Sequence, residues 1–292
     1  MLDRRQFLSA AFGIGLTGCA TVAPKRRAGA AQPVGVQLYS VRAMAQQDLF
    51  GTLAKLREIG FRSVEFETTC IDCGVDRART VRAHLDDLGM TCPSTMVAPD
   101  SFSGEALRRS LEVAATLGCK LIVMPHPDQL PHEWRTLTGW RNVVVALNGA
   151  VAPAREHGLR VAYHNHQPEF LRLAQRRAPI EIIASETDPT VCLELDVANC
   201  LASDGDPAAF LRSYGSRVVA LHIKDWSRDP SKEYSVHIGD GIANWHSIMR
   251  LARPNVWADC YFVEMEPQPG VPLEGLRRDF QTASHLLDVL RG

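Results

Sequence analysis

The sequence predicts a single-domain (β/α)8 TIM barrel, and three observations support this fold class. From Pro33 onward, short apolar runs rich in β-branched residues alternate with longer stretches of helical period. Eight such units fill about 260 residues, which is the usual size of this barrel. Residues 37–42 (Gln-Leu-Tyr-Ser-Val-Arg), at the end of the first strand, lack the glycine-rich phosphate loop of an open doubly wound sheet. We therefore expect one barrel over residues 31–292.

The predicted strands are short apolar runs, and the helices between them end at glycines. The strands are expected at 34–39, 63–66, 91–95, 120–125, 160–164, 191–196, 218–224 and 257–264. The helical patterns 49–59, 107–117 and 143–157 stop before Gly60, Gly118 and Gly158. Because glycine adopts the left-handed conformation that ends many helices, each of these positions predicts a helix end followed by a strand.

Residues 1–30 differ from the rest of the chain and predict an export signal. Arg4 and Arg5 form a twin-arginine pair, and the apolar run 8–18 follows closely. That run is too short and too rich in glycine for a membrane-spanning helix. Residues 16–19 (Leu-Thr-Gly-Cys) resemble a bacterial lipoprotein cleavage box, which implies a lipid anchor at Cys19; cleavage near residues 28–31 is the alternative. We expect a periplasmic, membrane-anchored mature protein.

Charge and cysteine content exclude some classes of protein. Lys and Arg number 32 against 33 for Asp and Glu, and no block of like charge occurs, so a nucleic-acid partner is not expected. Seven of the eight cysteines follow Cys19 at scattered positions. This odd number indicates buried thiols rather than a disulfide framework. Composition leaves the oligomeric state open.

Polar residues at the ends of consecutive strands indicate a metal site. Tyr-His-Asn-His at 163–166 ends the fifth strand, Asp196 the sixth and Glu264 the eighth, and His222 lies near the end of the seventh. Charged groups that face a barrel interior are costly unless they are paired or ligated. We therefore predict that Asp196, His222 and Glu264 bind one divalent ion. Carboxylates with imidazole suit Mn, Mg, Co or Zn.

Seven short motifs, in order along the chain, resemble those of one family. The sequence is similar to the sugar phosphate isomerase/epimerase group of xylose isomerase-like barrels over residues 34–290. The motifs are Gln-Leu-Tyr-Ser-Val-Arg at 37–42, Gly-Phe-Arg-Ser-Val-Glu-Phe at 60–66, Tyr-His-Asn-His at 163–166, Leu-Glu-Leu-Asp at 193–196, His-Ile-Lys-Asp at 222–225, Gly-Asp-Gly at 239–241 and Phe-Val-Glu at 262–264. The resemblance implies a divalent ion at the ends of strands five to eight, and a substrate contact from Lys224.

The fifth strand departs from the family pattern. The epimerases have a glutamate two residues before the position of His164, but this chain has Ala162. We expect His164 to replace it as the fourth ligand because the two positions share one face of the strand. Glu194 and Glu169 are the other candidates, and water is a further one.

The resemblance implies proton abstraction next to a sugar carbonyl, with Glu264 as the base on one face of the substrate. Because Ala162 replaces the second glutamate, His166, Glu169 or water must act on the other face. Further substrate contacts are expected from residues near the first strand and before the 239–241 motif, namely Gln37, Tyr39, Arg42 and His237.

Three other functions stay open. A metal-dependent lyase or dehydratase that eliminates a β-substituent from a keto-sugar or keto-glycoside needs one proton removed and one leaving group protonated, so it tolerates the missing carboxylate. A non-catalytic sugar-binding lipoprotein would bind ligand without turnover. An abasic-site endonuclease uses the same barrel but should have a basic face, which the balanced charge disfavours.

Overall fold

In the computed structural model, which describes residues 33–67, 74–125, 136–173, 177–266 and 272–289, eight parallel strands form a closed barrel. Each strand pairs with the next one along the chain, and β1 (Gly35–Gln37) pairs with β8 (Tyr261–Val263) to close the sheet. The predicted fold class is therefore confirmed.

The remaining elements alternate around the barrel. The other strands are β2 Ser63–Phe66, β3 Thr91–Met96, β4 Leu121–Met124, β5 Arg160–His164, β6 Cys192–Asp196 and β7 Val218–Ile223. The α-helices are α1 Arg42–Gln47, α2 Leu49–Ile59, α3 Gly74–Asp87, α4 Gly104–Leu117, α5 Leu137–Glu156, α6 Pro179–Glu186, α7 Val197–Ala202, α8 Pro207–Tyr214, α9 Trp245–Ala252 and α10 Pro272–Val289. Every strand overlaps its predicted range; β1 ends two residues earlier than predicted and β8 begins four residues later, and the bounds of the other six strands agree to within one residue.

Local sequence explains the helix ends. Helices α2 and α4 end immediately before Gly60 and Gly118, and Gly118 has a φ of 83°, which a residue with a side chain rarely adopts. At the other end of α5, the Thr136 hydroxyl accepts a 3.0 Å hydrogen bond from the Gly139 backbone. Because the helices end at these residues, the connections to the following strands are short. Each strand lies next to the preceding one in the barrel.

The barrel interior has an apolar layer with a polar layer above it. The apolar cluster comprises Met96, Leu121, Val123, Ala162, Cys192, Val219, Ala220, Cys260 and Phe262, all buried. Residues two positions further along β5, β6 and β7 share the same face and are His164, Glu194 and His222. The polar layer therefore lies toward the carboxyl ends of the strands, where barrels of this type place their active sites.

The predicted export signal lies outside the described residues, and so do Arg4, Arg5 and Cys19. None of the helices in the described ranges is long and apolar enough to cross a membrane. The cysteines at positions 92, 119, 192, 200 and 260 are free and buried, as the sequence predicts.

Candidate metal centre and active site

Asp196 lies where β6 passes into α7, and this junction fixes its carboxylate. Asp196 is the N-cap of α7, and its Oδ1 accepts a 2.8 Å hydrogen bond from the Asn199 backbone. Among the residues that the structure describes, its Oδ2 has no hydrogen-bond partner although the side chain is fully buried. A buried carboxylate oxygen without a donor is costly. This oxygen is therefore a candidate ligand atom for a cation.

His164 and His222 lie beside Asp196 and complete a group that could hold a metal ion. Each of the three residues offers one ligand atom, and these atoms lie within 4.8 Å of one another. All three side chains are buried. Two imidazoles and a carboxylate form a donor set that suits a divalent first-row metal. With the unsatisfied oxygen of Asp196, this geometry fits the predicted ion.

Glu264 contacts this group through His222 and contacts a lysine on its other side. His222 Nδ1 lies 2.7 Å from Glu264 Oε2, and Lys224 Nζ donates 2.7 Å hydrogen bonds to Glu264 Oε1 and Glu266 Oε1. Burial alone would raise the pKa of Glu264, but Lys224 and His222 lower it well below its usual value. Burial would lower the pKa of Lys224, and the carboxylates of Glu264, Asp196 and Glu266 raise it instead. Glu264 is therefore an anion beside a charged lysine.

The two imidazoles have opposite pKa shifts. Burial and the charge of His222 lower the pKa of His164 to about 4, so His164 is neutral at physiological pH. Burial would also lower the pKa of His222, but Glu194, Glu264 and Glu65 raise it well above its usual value. A metal ligand must be neutral imidazole, so cation binding at His222 displaces a proton.

Glu65 on β2 is a buried carboxylate that the sequence analysis did not select. Gln37 Nε2 donates a 2.6 Å hydrogen bond to its Oε2, the Ser94 hydroxyl donates to its Oε1, and His222 Nε2 lies 2.7 Å from Oε2. Although burial would raise the pKa of Glu65, the charge and hydrogen bond of His222 lower it. One signal was available, since Glu65 interrupts the apolar run between Val64 and Phe66.

A cavity of about 540 Å³ opens above the polar layer. This volume is within the usual range for small-molecule sites. The described residues that line it are Gln37, Tyr39, Glu67, Met96, Ala98, Pro99, Pro125, His164, His166, Gln167, Pro168, Asn199, Lys224, Tyr234, Glu264 and Glu266. Six of the predicted site residues, Gln37, Tyr39, His164, His166, Lys224 and Glu264, are thus in the cavity wall, whereas Asp196 and His222 lie in the polar layer.

Three other predicted residues are not among the described residues that line the cavity. The Arg42 guanidinium lies 4.0 Å from the centre of the Tyr39 ring, and its Nη1 donates to the Tyr39 carbonyl. His237 Nδ1 lies 3.2 Å from Asp279 on α10. Glu169 is fully buried and accepts a 2.6 Å hydrogen bond from a tyrosine hydroxyl of β5. These contacts account for the three side chains without a described role in the cavity wall, so their predicted roles stay predictions.

Tyr234 covers one side of the cavity, and the sequence analysis did not select it. It lies on the loop between β7 and α9, where its hydroxyl donates a 3.1 Å hydrogen bond to Asn199 Oδ1. Lys224 Nζ is 5.1 Å from the centre of its ring. A lone tyrosine in a loop has no periodic pattern around it, so the sequence offers no signal for this position.

Asp225 organises the same loop. Its Oδ1 accepts hydrogen bonds from the backbone of Trp226 and Ala243, and its Oδ2 accepts from the Gly239 backbone and the Trp245 indole, all at 2.9–3.1 Å. Four donors on one carboxylate tie both ends of the loop to the end of β7. The position of Tyr234 over the cavity follows from this anchor.

Comparison with known proteins identifies the family. The model of the xylose isomerase-like TIM barrel family matches residues 53–282, which is most of the chain. The chain therefore belongs to that family, and the predicted resemblance is confirmed at this level.

The individual proteins that resemble this chain are only distantly similar to it in sequence. An inosose dehydratase from Lactiplantibacillus plantarum is 35% identical over 95 residues, covering 32% of this chain and 31% of the relative. The chain thus matches about a third of that relative's length. A sugar phosphate isomerase/epimerase from Parabacteroides distasonis has a TM-score of 0.72 at 23% identity, covering 90% of this chain and 96% of the other.

A second solved structure is a complex with magnesium. It is a xylose isomerase-like TIM barrel protein from Mycobacterium smegmatis in complex with magnesium, with a TM-score of 0.69 at 14% identity, covering 89% of this chain and 98% of the other. Because both solved structures are less than 25% identical in sequence to this chain, the comparison with them shows only that the fold is shared.

Proposed function

We propose that this protein is a divalent-metal-dependent sugar isomerase or epimerase that moves a proton next to a carbonyl group. The observation that carries the proposal is the arrangement of Glu264, whose carboxylate lines the cavity, lies 2.7 Å from His222 and is held as an anion by Lys224. An ionised carboxylate next to a candidate cation site can act as the base of such a reaction.

The residues have distinct roles in this proposal. His164, Asp196, His222 and Glu264 would hold one Mn, Mg, Co or Zn ion, which supplies Lewis-acid stabilisation of negative charge on the substrate oxygens. Glu264 takes the proton from the carbon next to the carbonyl. Lys224 keeps Glu264 ionised, and it offers its third ammonium hydrogen to a substrate oxygen.

Near the end of β5, the cavity lining has imidazoles where the family pattern has a carboxylate. His166 lines the cavity, and its ring centre is 4.9 Å from that of His164. Ala162 is fully buried below them in the apolar layer and offers no chemistry. In an epimerisation or isomerisation, His166 is our candidate for proton transfer at the second face of the substrate, with Glu169 and water as the alternatives.

The charge of the cavity supports a free sugar as the substrate rather than a sugar phosphate. Within the described ranges, the lining carboxylates are Glu67, Glu264 and Glu266, and the lining cation, Lys224, already contacts two of them. A phosphate group would face this excess of negative charge, and the described part of the lining offers no further arginine or lysine to receive it. An uncharged polyhydroxylated ketone or aldehyde avoids that repulsion.

A β-elimination is the second candidate, and two observations favour it. The site pairs one catalytic carboxylate with an imidazole, which suffices to remove one proton and to protonate one leaving hydroxyl or glycosidic oxygen. The L. plantarum relative is named inosose dehydratase. In this reading His166 or Lys224 would donate the proton to the leaving group.

The two reactions can be separated by NMR in deuterated buffer. Metal-loaded protein is incubated with free keto-sugars, keto-glycosides and keto-inositols, and Glu264→Gln serves as the matched control. Deuterium uptake with a new sugar isomer supports the isomerase or epimerase. A dehydrated sugar or released aglycone shows the lyase instead. If no substrate exchanges or reacts with wild type, while a sugar still binds, the protein is a binding protein and the enzymatic proposal fails.

We also propose that residues 1–30 direct export by the twin-arginine route, with a lipid anchor at Cys19 and a periplasmic mature protein. Arg4 and Arg5 followed by the apolar run 8–18 support the proposal. Replacing both arginines with lysine should stop export in a bacterial host, and Cys19→Ser should remove incorporated palmitate. Unchanged export of the lysine variant would contradict the proposed route.

A further inference from the structure

We infer that Glu65 is a positioning residue, which fixes the nitrogen of His222 that faces the cavity and so prepares His222 as a metal ligand. This inference rests on the metal site of the proposed function. It assigns a role to a buried carboxylate that does not itself contact the substrate cavity. It also explains why a charged residue is tolerated inside the second strand.

The geometry around His222 distinguishes its two nitrogens. Nδ1 lies 2.7 Å from Glu264, which lines the cavity, and Nε2 lies 2.7 Å from Glu65, which is fully buried and not among the cavity-lining residues. Nδ1 is therefore the nitrogen on the side of the cavity, where it contacts Glu264, and Nε2 is the nitrogen on the interior side. A cation that is exchanged through the cavity reaches Nδ1.

Glu65 is itself held rigidly by residues of the two neighbouring strands. Gln37 on β1 donates to its Oε2, and Ser94 on β3 donates to its Oε1. Oε1 of Gln37 accepts a 3.1 Å hydrogen bond from the Tyr39 backbone N–H, and this bond sets the orientation of the Gln37 amide. The strand register shifts between Ser63 and Glu65, an irregularity of the kind that redirects a side chain.

Hydrogen-bond chemistry explains why a carboxylate is needed at this place. A carboxylate accepts hydrogen bonds, so Glu65 accepts one from Nε2–H of His222. When a cation replaces the contact between Glu264 and Nδ1, the ring hydrogen stays on Nε2, toward Glu65, and the lone pair of Nδ1 is left for the cation. A glutamine has the same shape but can present its NH2 group to the ring. The ring hydrogen would then move to Nδ1 and block the ligand position. Carboxylates behind metal-binding histidines generally have this effect on orientation and basicity.

A second cation site is the competing role for the same residues. Glu65, Glu194 and His222 also offer ligand atoms within 4.8 Å of one another. However, both oxygens of Glu65 already accept hydrogen bonds from neutral donors, Gln37 and Ser94. This arrangement favours a positioning role for Glu65 over direct ligation.

The inference is tested with Zn²⁺ on the full chain by calorimetry, elemental analysis and ¹⁵N-histidine NMR. In wild type we expect one zinc ion per chain. We also expect zinc on Nδ1 of His222 and a hydrogen on Nε2. The ¹⁵N signals of His222 are assigned by their loss in His222→Gln. Glu65→Gln should weaken zinc binding about 10–100-fold. Asp279→Asn is the matched control, because it removes another buried carboxylate that contacts His237 instead. It should keep wild-type affinity.

The possible results separate the inference from the proposed function. If wild type binds no divalent ion, the proposed metal site and the inference both fail. If wild type binds zinc and Asp196→Ala does not, but Glu65→Gln binds like wild type, only the inference fails. Two ions per chain in wild type, or zinc on Nε2, would also overturn it. If Glu65→Gln does not fold, Ser94→Ala is tested in its place, because it removes one hydrogen bond to Glu65 and keeps the carboxylate. Ser94→Ala should weaken zinc binding. Unchanged zinc affinity of this variant would count against the inference.

Discussion

His164 Nδ1 lies 3.2 Å from Glu194 Oε2 on the neighbouring strand, and both side chains are buried. His222 has the same relationship to Glu65, which lies on the interior side of its ring. Each imidazole of the candidate metal site thus contacts a buried glutamate from a different strand. A ligand held in this way needs little reorganisation when it binds, so this candidate metal site is preorganised.

Asp196 should be essential for metal binding, whereas a similar aspartate elsewhere should not. Asp196→Ala is expected to lose the bound ion, measured by elemental analysis of purified protein, because it removes the buried Oδ2 of the candidate ligand group. Asp206→Ala is the control, since Asp206 also caps a helix, at the start of α8. It should keep the metal and lose about 1 kcal/mol of stability. Metal retained in Asp196→Ala would end the assignment.

Lys224→Met should destabilise the protein in a pH-dependent manner. The pKa of Glu264 is lowered in the folded state, so its ionised form contributes stability above its unfolded pKa, and this contribution is lost as pH falls through the folded pKa. Without Lys224 the anion stays buried without its main partner, which costs about 3–5 kcal/mol near neutral pH. At lower pH, Glu264 of the variant takes up a proton. The difference from wild type should therefore shrink between pH 7 and pH 5.

Thermal unfolding of both proteins across this pH range measures the effect. Lys120→Met is the matched control because Lys120 pairs with Asp259 at the surface, where its side chain is 52% exposed. An exposed pair of this kind contributes no more than about 1 kcal/mol. A loss of stability in Lys224→Met that is equal at both pH values would show that Glu264 is not the group left uncompensated.

The fold could be predicted from sequence because its signals are local. Strand runs, helical periods and the glycines at 60, 118 and 158 each depend on a few neighbouring residues, and closure then follows from the number of units. The strand ends around Asp196 and His222 were predictable for the same reason. Both are polar residues at the end of apolar runs, and the structure pairs them directly across β6 and β7.

The rest of the site depends on contacts that no local pattern encodes. Glu65 receives its hydrogen bonds from β1, β3 and β7, which are distant in sequence, so its single charge inside a strand was not informative alone. The expectation for His237 came from its position before the 239–241 motif. In the structure His237 contacts Asp279 on α10, and its predicted role in substrate binding stays a prediction. Side-chain direction in a long loop is set by such tertiary contacts, not by spacing.

The buried cysteines should resist alkylation in the folded protein. Burial raises the pKa of Cys192 to about 11 and that of Cys260 well above its usual value. At pH 8, roughly one Cys192 side chain in a thousand would be thiolate, which is the reactive form. We expect site-resolved mass spectrometry after iodoacetamide treatment to show both positions unmodified until denaturant is added. Rapid labelling of Cys192 at pH 8 without denaturant would contradict its buried environment.

Gly241 should be intolerant of substitution because it packs against the anchor of the loop that carries Tyr234. A Cβ at this position would lie 2.1 Å from Asp225 Oδ1 and 2.5 Å from the Trp226 carbonyl oxygen, and the latter belongs to the backbone and cannot rotate away. Gly241→Ala should therefore disturb the hydrogen bonds to Asp225 and cost about 1–3 kcal/mol.

The matched control is Gly149→Ala on α5, where an added Cβ meets no atom within 4 Å. Alanine favours a helix over glycine, so this control should be neutral or slightly stabilising. Thermal unfolding should show a loss of several degrees for Gly241→Ala. Limited proteolysis should show faster cleavage between residues 226 and 244. If both variants unfold and are cleaved like wild type, Asp225 is not what holds Tyr234 over the cavity, and the loop must be fixed by its contacts with Asn199 and α10.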